Sequence, residues 1–350
     1  MSRSIDPRAE AIVAWYDHNA RRLPWRETVS PYRTLVSEIM LQQTRVEAVK
    51  PYFERFIAAL PTVKALAEVD EQTLLKLWQG LGYYSRARNL KRCAEAVCSE
   101  HGGVIPSDPD RLIALPGIGR YTAGAIAAFA YGVDAVAVDG NVLRVAARLF
   151  NDPRDILDAR TKSDFEHRLE EILPSGMADR FGQGLIELGA LVCLPKVRPK
   201  CEICPLAPYC EARAAGTETT LPNRRSKAKR RREVKTVLLV RSADAVLIRR
   251  RPARGLLAGL YEPPSLDGEV GEGEALAFLR ALGLEPLRIE SAGAARHIFT
   301  HVEWQMTAYA VSIAEPETPP DAPYLLVSPR ELAERYPLPS AYSAYLSPLG

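Results

Sequence analysis

The chain has 350 residues, of which 47% are hydrophobic and 25% charged, and its formal net charge is only +3. This length predicts two or three domains, and the composition is typical of a soluble globular protein. The N-terminal stretch MSRSIDPRAE is charged and has no apolar core, so no signal peptide is expected, and no apolar run reaches membrane-spanning length. We therefore expect a cytoplasmic protein with no membrane partner.

Residues 1 to about 213 predict helices joined by short connections. The opening helix is expected from about Pro7 to Arg22, and the next from Tyr32 to about Leu60. The second contains LVSEIMLQQTRV, in which Glu38 lies inside a largely apolar run. Burial raises the pKa of a carboxyl group by desolvation, as a proton donor near neutral pH requires. The alternative is a glutamate on a solvated helix face, which is the commoner situation.

Residues 72 to 99 predict two further helices around the sequence GLGYYSRARNL. Here Tyr83 and Tyr84 are followed by Arg86 and Arg88, which places aromatic and basic side chains close together in the sequence. This pattern suits base stacking and phosphate contact. A tyrosine packed in a helix junction explains it equally well.

The segment LPGIGRYTAGAIAAFAYGVDAVAVDGNVLRV begins with a glycine hairpin. Pro116 is expected to end a short helix, Gly117 and Gly119 to form a tight turn, and a second helix to run from Arg120 to about Tyr131. Backbone N–H groups without side chains at a helix N-terminus form an anion site, for which a DNA phosphate is a natural ligand. An ordinary connection between two helices is the alternative. A dinucleotide-binding motif is disfavoured because no strand precedes the turn.

A second carboxylate, Asp139, follows this helix in a DGN turn and precedes a helix expected from Gly140 to about Phe150. An Asp directly before a helix is most often an N-cap. Together with Glu38, however, it provides the pair that cleaves a glycosidic bond: an acid that protonates the leaving group and an anion that stabilises an oxocarbenium ion. The sequence alone does not show that the two face each other.

Four of the six cysteines crowd into eighteen residues near the end of the helical region. Their spacing, with seven, two and five residues between them, indicates a metal site. Zinc and an iron–sulfur cluster both accept four thiolates. A basic loop with Lys196, Arg198 and Lys200 lies between the first and the second of these cysteines. The four positions are Cys193, Cys201, Cys204 and Cys210.

The character of the chain changes after the cysteines. Residues 214–234 predict a basic interdomain linker, which can also attract phosphates or simply be a solvated tether. Residues 235–350 predict an α+β domain. VKTVLLVRSADAVLIRR predicts two strands, Glu272 to Leu282 a helix, and VEWQMTAYAVSI a half-buried strand. LVSPRELAERY predicts a strand, a Ser328 cap and a helix.

The motifs LVSEIMLQQT, LWQGLGYYSRARNL, LPGIGRYTAGAI, VDGNVLRV and ELGALVC, followed by the cysteines, resemble the MutY-type adenine DNA glycosylases. That family belongs to the helix-hairpin-helix superfamily shared with endonuclease III. The resemblance implies an all-α helix-hairpin-helix glycosylase core with an iron–sulfur cluster domain, plus a C-terminal α+β Nudix-like domain. The six-helix domain would span about 30–140 and the cluster domain 1–29 plus 141–213. A [4Fe–4S] cluster would be bound by the four cysteines. One residue more than in the family separates Cys193 from Cys201, so we expect a slightly longer basic loop.

The resemblance also implies catalytic roles. Glu38 would protonate adenine N7, Asp139 would stabilise the sugar cation, and Asn141 would orient the catalytic groups. Tyr121 stands where the bifunctional lyases of the superfamily carry a lysine that forms a Schiff base. A tyrosine cannot form one, so a pure hydrolase that leaves an abasic site is expected, with the phenol hydrogen-bonded to the catalytic carboxylates.

The substrate contacts follow from the same resemblance. Gln43 and Tyr83 would fill and wedge the duplex where the adenine is flipped out. Phe299, Thr300 and His301 stand where the family has Phe-Ser-His, and would read 8-oxoguanine opposite the adenine. The helix EGEALAFLRAL lacks the REXXEE pattern, so recognition without pyrophosphate hydrolysis is expected. The adenine pocket would comprise Trp25, Arg26, Leu41 and Glu187, and further DNA contacts Thr44, Pro116, Gly117 and Gly119.

The expected function is hydrolytic removal of adenine mispaired with 8-oxoguanine or guanine in double-stranded DNA, by a monomer. The alternative enzyme is a bifunctional endonuclease III-like glycosylase/lyase for pyrimidine lesions. An alternative from another class is a catalytically silent DNA-binding protein with a metal cluster.

Overall fold

A computed structural model of the chain describes residues 5–195, 197–225 and 230–346. The chain forms two compact units. The first comprises Met1–Glu68 and Arg88–Ser226, and the second Val69–Ala87 and Lys227–Gly350. In these described ranges, no helix has both the length and the apolar character that crossing a membrane would require.

The N-terminal two thirds of the chain are helical, as predicted. The helices are α1 (Pro7–Asn19), α2 (Pro24–Glu27), α3 (Pro31–Leu41), α4 (Val46–Ala59), α5 (Val63–Glu68), α6 (Glu71–Leu77), α7 (Ser85–Glu100), α8 (Pro109–Ile113), α9 (Arg120–Tyr131), α10 (Gly140–Leu149), α11 (Ala159–Glu170), α12 (Ala178–Leu191) and α13 (Glu211–Ala215).

The prediction of one helix from Tyr32 to Leu60 was wrong, because the chain leaves helical geometry between α3 and α4. Gln43 takes a left-handed backbone conformation with φ +58°, which an α-helix cannot contain. The opening helix also ends at Asn19, three residues before the predicted end. The helix from Arg120 to Tyr131 and the helix that starts at Gly140 are confirmed.

Two apolar helices form the centre of the first unit. In α9 every residue from Thr122 to Ala128 is buried, so this helix is enclosed on most of its faces. α12 packs against α1, α9 and α10, and its Phe181, Leu185 and Leu188 join the core cluster. Burying each such side chain contributes about 1.5–3 kcal/mol. Both α9 and α10 pack against α12, so the residues at the start of each of these two helices are held by a well-packed core.

The second unit is built on a mixed β-sheet. Its strands are β1 (Arg231–Ser242), β2 (Ala245–Arg250), β3 (Tyr261–Glu262), β4 (Ser265–Asp267), β5 (Pro286–Ile298), β6 (Val302–Ile313) and β7 (Tyr324–Val327). The central order is β3-β2-β1-β6-β5, with β4 paired to β1 and β7 to β2. β1 and β6 are parallel, whereas β5 and β6 form an antiparallel hairpin.

The predicted elements of this unit are confirmed. β6 alternates as expected, with Trp304, Met306 and Ala308 buried. The helix α14 (Glu272–Ala281) lies within the predicted range. Ser328 caps α15 (Pro329–Arg335) through a capping box with Glu331. A short helix, α16 (Ser343–Leu346), follows.

The predicted boundaries differ from the observed elements in two places. β1 begins at Arg231, inside the predicted linker 214–234 and before the predicted domain start at 235; residues 226–229 of the linker lie outside the described residues. The segment Val69–Ala87, predicted as part of the catalytic region, groups with the C-terminal unit. Within this unit, Lys76 Nζ donates to the carbonyl oxygen of Leu332 at 3.3 Å and to that of Tyr336 at 3.4 Å.

Candidate active site

Glu38 is a buried carboxyl group on α3, with only 6% of its surface exposed. Its Oε2 accepts a hydrogen bond from the hydroxyl of Tyr121, at 2.5 Å, from the first turn of α9. Burial raises the pKa of Glu38 to about 7, and the nearby charge of Asp139 acts in the same direction. The hydrogen bond from Tyr121 and the charge of Arg26 oppose the shift. The neutral acid is therefore well populated near neutral pH.

Asp139 is the N-cap of α10, as its position in the sequence suggested. Its Oδ1 accepts from the backbone N–H groups of Asn141 and Val142, both at 2.8 Å, and its Oδ2 accepts from Asn141 Nδ2 at 2.7 Å. Burial raises the pKa of Asp139 above its ordinary value, and the hydrogen bonds from Val142 and Asn141 only partly oppose this rise. These donors stabilise the carboxylate form and fix its direction.

Asn141 is itself held in place from two sides. Its Oδ1 accepts from Arg144 Nη2 at 2.9 Å, and the same nitrogen donates to the carbonyl oxygen of Gly189 at 2.8 Å. α10 and α12 approach so closely here that a Cβ on Gly189 would lie 2.6 Å from Cβ of Asn141. Glycine is needed at position 189 because a larger residue would displace Asn141, whose side chain donates a hydrogen bond to Asp139.

Glu38 and Asp139 line one open cleft of about 1920 Å³. Tyr121 and Asn141 also line it, so the residues predicted to be catalytic are brought together. The predicted DNA contacts Gln43 and Thr44, from the connection between α3 and α4, form part of the same wall. Glu38 and Asp139 therefore face one common site, which the sequence alone could not show.

A smaller pocket of about 570 Å³ adjoins Glu38 and Tyr121. The four residues predicted to line an adenine pocket all line it: Trp25, Arg26, Leu41 and Glu187. The pocket combines an aromatic ring and aliphatic groups with a few polar side chains, which is the usual make-up of a site for a small planar ligand.

Glu187 in this pocket is fully buried but has two cationic partners. Arg21 Nε lies 2.6 Å from Oε1, and Arg26 Nη2 lies 3.2 Å from Oε2. Burial by itself would raise the pKa of Glu187, but the hydrogen bonds from Arg21 and the charge of Arg26 bring it below its usual value. Arg21 was missed by the sequence reasoning; the basic pair before LPWR was the available signal.

The hairpin before α9 exposes its two glycines. Gly117 and Gly119 lie at the surface, while Ile118 between them is buried and anchors the turn. Gly117 has φ +77°, and a Cβ at this position would lie 2.6 Å from Cβ of Asn89. Both the conformation and the close approach require glycine here. With the half-buried Pro116, the turn has the form of an anion-binding helix start.

The four cysteines of the predicted metal site line one small cavity, together with Arg148 and Glu218. Arg148 Nη1 donates to Cys193 Sγ at 3.2 Å, and Cys210 Sγ donates to the carbonyl oxygen of Arg148 at 3.4 Å. Four thiols and a guanidinium donor suit a thiophilic, anionic group. Among the described residues, no three His, Cys, Asp or Glu side chains meet the geometry for a single metal ion. Lys196 of the adjoining basic loop lies outside the described residues.

In the second unit, residues 299–301 form the turn between β5 and β6. Phe299 packs edge-on against Trp304, with ring centroids 4.8 Å apart. The hydroxyl groups of Thr300 and Tyr83 are hydrogen-bonded at 2.7 Å. The exposed Tyr83 itself has a left-handed φ of +48°. The structure therefore joins two residues that were predicted separately as a base reader and a wedge.

Comparison with known proteins matches both parts of the chain. Residues 36–175 match the HhH-GPD superfamily of base excision DNA repair proteins, and residues 236–347 match a NUDIX domain. A solved structure of a thermostable thymine-DNA glycosylase is 28% identical, with a TM-score of 0.55, covering 60% of this chain and 97% of that one.

The chain is also similar to curated adenine DNA glycosylases. The protein from Buchnera aphidicola subsp. Baizongia pistaciae is 40% identical over 204 residues, which cover 58% of this chain but only 57% of that protein. The protein from Rattus norvegicus is 33% identical over 370 residues, covering 88% of this chain and 70% of that protein. With a helix-hairpin-helix core, a C-terminal Nudix-like domain and these relatives, the chain belongs to the adenine DNA glycosylase family of base excision repair enzymes.

Proposed function

We propose that this protein hydrolyses the N-glycosidic bond of adenine mispaired with 8-oxoguanine or guanine in double-stranded DNA and leaves an abasic site. The observation that carries the proposal is the shared cleft of Glu38 and Asp139. The acid form of one carboxyl group is well populated near neutral pH, and three donors to the other stabilise its anion. This is the pair that glycosidic bond cleavage requires.

The reaction begins with a flipped adenine in the pocket beside Glu38. Trp25 and Leu41 provide apolar contact area for the base, and the polar groups of Arg26 and Glu187 lie at the same pocket. Extrusion from the stack costs a few kcal/mol, which pocket contacts offset. The adenine is recognised there by shape and by hydrogen bonds to its edge.

Glu38 then protonates adenine N7 as the base departs. Proton transfer of this kind contributes roughly two to four orders of magnitude in rate. Asp139 stabilises the positive charge that develops on the sugar, and Asn141 keeps its carboxylate oriented through the 2.7 Å hydrogen bond. A water molecule attacks C1′ and gives up a proton, which restores the acid form of Glu38 and completes the hydrolysis.

The enzyme is proposed to be monofunctional. A lyase step requires an amine that forms a Schiff base with the sugar, and Tyr121, the neighbour of Glu38, has a phenol instead. Among the described residues that line the cleft, Lys162 carries an amine of the kind that a lyase step would need. Borohydride trapping is therefore the direct test: no protein–DNA adduct is expected, and a trapped adduct would favour the bifunctional alternative.

DNA recognition is divided among three surfaces in this proposal. The hairpin of Pro116, Gly117 and Gly119 binds a backbone phosphate, as exposed N–H groups at a helix start allow. Gln43 and Tyr83 are proposed to fill and wedge the duplex where the adenine is flipped out, and Thr44 to make a further DNA contact. The turn of Phe299, Thr300 and His301 reads 8-oxoguanine in the opposite strand.

We further propose that Cys193, Cys201, Cys204 and Cys210 bind a [4Fe–4S] cluster. The shared cavity and the Arg148 donor to Cys193 support this assignment. The group would supply four iron–thiolate bonds that tie residues 193–210 into one loop, with the basic residues Arg198 and Lys200 beside it. Four iron atoms per chain and broad visible absorption are expected; a colourless protein with one zinc would contradict the assignment.

The test of the proposed function is adenine release from duplexes with adenine opposite 8-oxoguanine, guanine or thymine. Release from the first two and not from the third is expected. Asp139→Asn should retain DNA binding and lose excision under single-turnover conditions, and full activity of this variant would refute its role. Strand cleavage only after alkali or heat is expected of a monofunctional enzyme.

A further inference from the structure

An acidic side chain lies in the wall of the cleft that is proposed to receive DNA. Glu166 on α11 lines this cleft together with Glu38 and Asp139, which have a chemical reason to be there. Glu166 has no role in the proposed reaction. A surface that binds phosphates is expected to be positively charged. Its carboxylate therefore needs another explanation.

Glu166 is paired with the arginine next to the hairpin. Arg120 is the first residue of α9 and directly follows Gly119. Its Nη1 lies 3.7 Å from Oε2 of Glu166. The side chain of Arg120 is 78% exposed, whereas that of Glu166 is 25% exposed. The carboxylate is thus the fixed partner and the guanidinium is the one that can swing away.

Burial and neighbouring charges act against each other at Glu166. Burial raises its pKa, while the charges of Arg120 and Lys162 lower it and that of Glu170 raises it. The carboxylate is stabilised by Arg120 in the free protein, and a phosphate at the hairpin would compete for the same guanidinium.

We propose that Glu166 is a positioning residue that holds Arg120 in an ion pair and so withholds one phosphate contact from DNA bound in the cleft. The inference rests on the proposed function, because it takes the cleft to be the DNA-binding surface. A phosphate contact carries no sequence information, so withholding it weakens binding to any duplex in the cleft. An exposed ion pair contributes at most about 1 kcal/mol, so the effect is modest, about two- to fivefold in Kd.

The test compares Glu166→Gln with Glu170→Gln in the full chain. Glu170 lies one turn further along α11, is exposed, and loses the same charge on substitution. The probe is an undamaged duplex titrated between 50 and 200 mM salt. Glu166→Gln should bind about two- to fivefold tighter, with a salt slope steeper by about one unit, as one added phosphate contact requires. Glu170→Gln should change Kd less than twofold.

A double-mutant cycle separates the ion pair from net charge. If Arg120 carries the effect, Glu166→Gln adds little in an Arg120→Gln background. Equal shifts in Glu166→Gln and Glu170→Gln, or no shift in either, would overturn the inference. The proposed function is judged separately by adenine release from the unmodified enzyme. A protein that binds duplex but releases no adenine refutes that function while the inference is still decided by Kd.

Discussion

The pKa of Glu38 makes the pH dependence of excision the sharpest test of the chemistry. With the ordinary value of 4.5, about one glutamic acid in 300 would be protonated at pH 7; with a pKa of about 7, about half are. Burial therefore increases the population of the acid more than a hundredfold. Because only the protonated form donates to adenine, the single-turnover rate should fall about tenfold per pH unit above pH 7.

The same shift carries a cost in stability that Glu38→Gln should remove. A rise of the pKa from 4.5 to about 7 destabilises the folded state by about 3 kcal/mol above pH 7. The sign follows because the folded state binds the proton more tightly than the unfolded state. The penalty sets in near pH 4.5 and is complete above about pH 7, so Glu38→Gln should melt higher than the natural protein at pH 8 and by a much smaller margin at pH 5.

The pH dependence of the excision rate and the pH dependence of thermal melting each test the role of Glu38. Adenine release is measured from duplexes with adenine opposite 8-oxoguanine at saturating enzyme, between pH 6 and 9, and thermal melting at pH 5 and 8. The matched control is Glu54→Gln, an exposed position on α4, which should leave the pH dependence of melting unchanged. A rate that stays flat from pH 6 to 9, or near-normal excision by Glu38→Gln, would remove Glu38 from the role of the acid.

Three further predictions concern the surrounding groups. Tyr121→Phe removes a hydrogen bond that lowers the pKa of Glu38, so the fall in the pH–rate profile should move to higher pH; an unchanged profile would contradict the coupling. Thr300→Val keeps the shape but loses a hydroxyl, so the rate preference for adenine opposite 8-oxoguanine over adenine opposite guanine should fall roughly two- to tenfold, the net worth of one hydrogen bond. Gly117→Ala forces a Cβ to 2.6 Å from that of Asn89 at φ +77° and should weaken binding of an abasic-site duplex several-fold in titrations; unaltered affinity would exclude the hairpin from the interface.

Much of the site could be predicted because it depends on local pattern. The apolar run around Glu38 predicts burial, and the DGN turn predicts that Asp139 is a cap; both hold in the structure. A helix start after two glycines is equally local. Such features require only that neighbouring residues agree with one another, and a single sequence contains that information.

Other features could not be predicted because they depend on contacts between distant segments. No glycine or proline marks the break at Gln43, so the stretch LQQTRV contains no sign that the helix ends there. The bonds of Lys76 to carbonyl oxygens some 256 residues further on have no sequence signal at all. The ion pair of Arg21 with Glu187 spans 166 residues. Each of these is decided by tertiary packing rather than by propensity.

The two glutamates of the site show why composition alone could not assign the chemistry. Glu38 and Glu187 are both almost completely buried and line the same pocket. Two arginines pair with Glu187, whose pKa is lowered, whereas Glu38 receives a single neutral hydrogen bond from Tyr121 and its pKa rises. The protonation state therefore follows from the partners that the fold delivers. Because Arg26 also acts on Glu38, substituting Arg26 would remove charge stabilisation from both carboxylates and favour the neutral form of each.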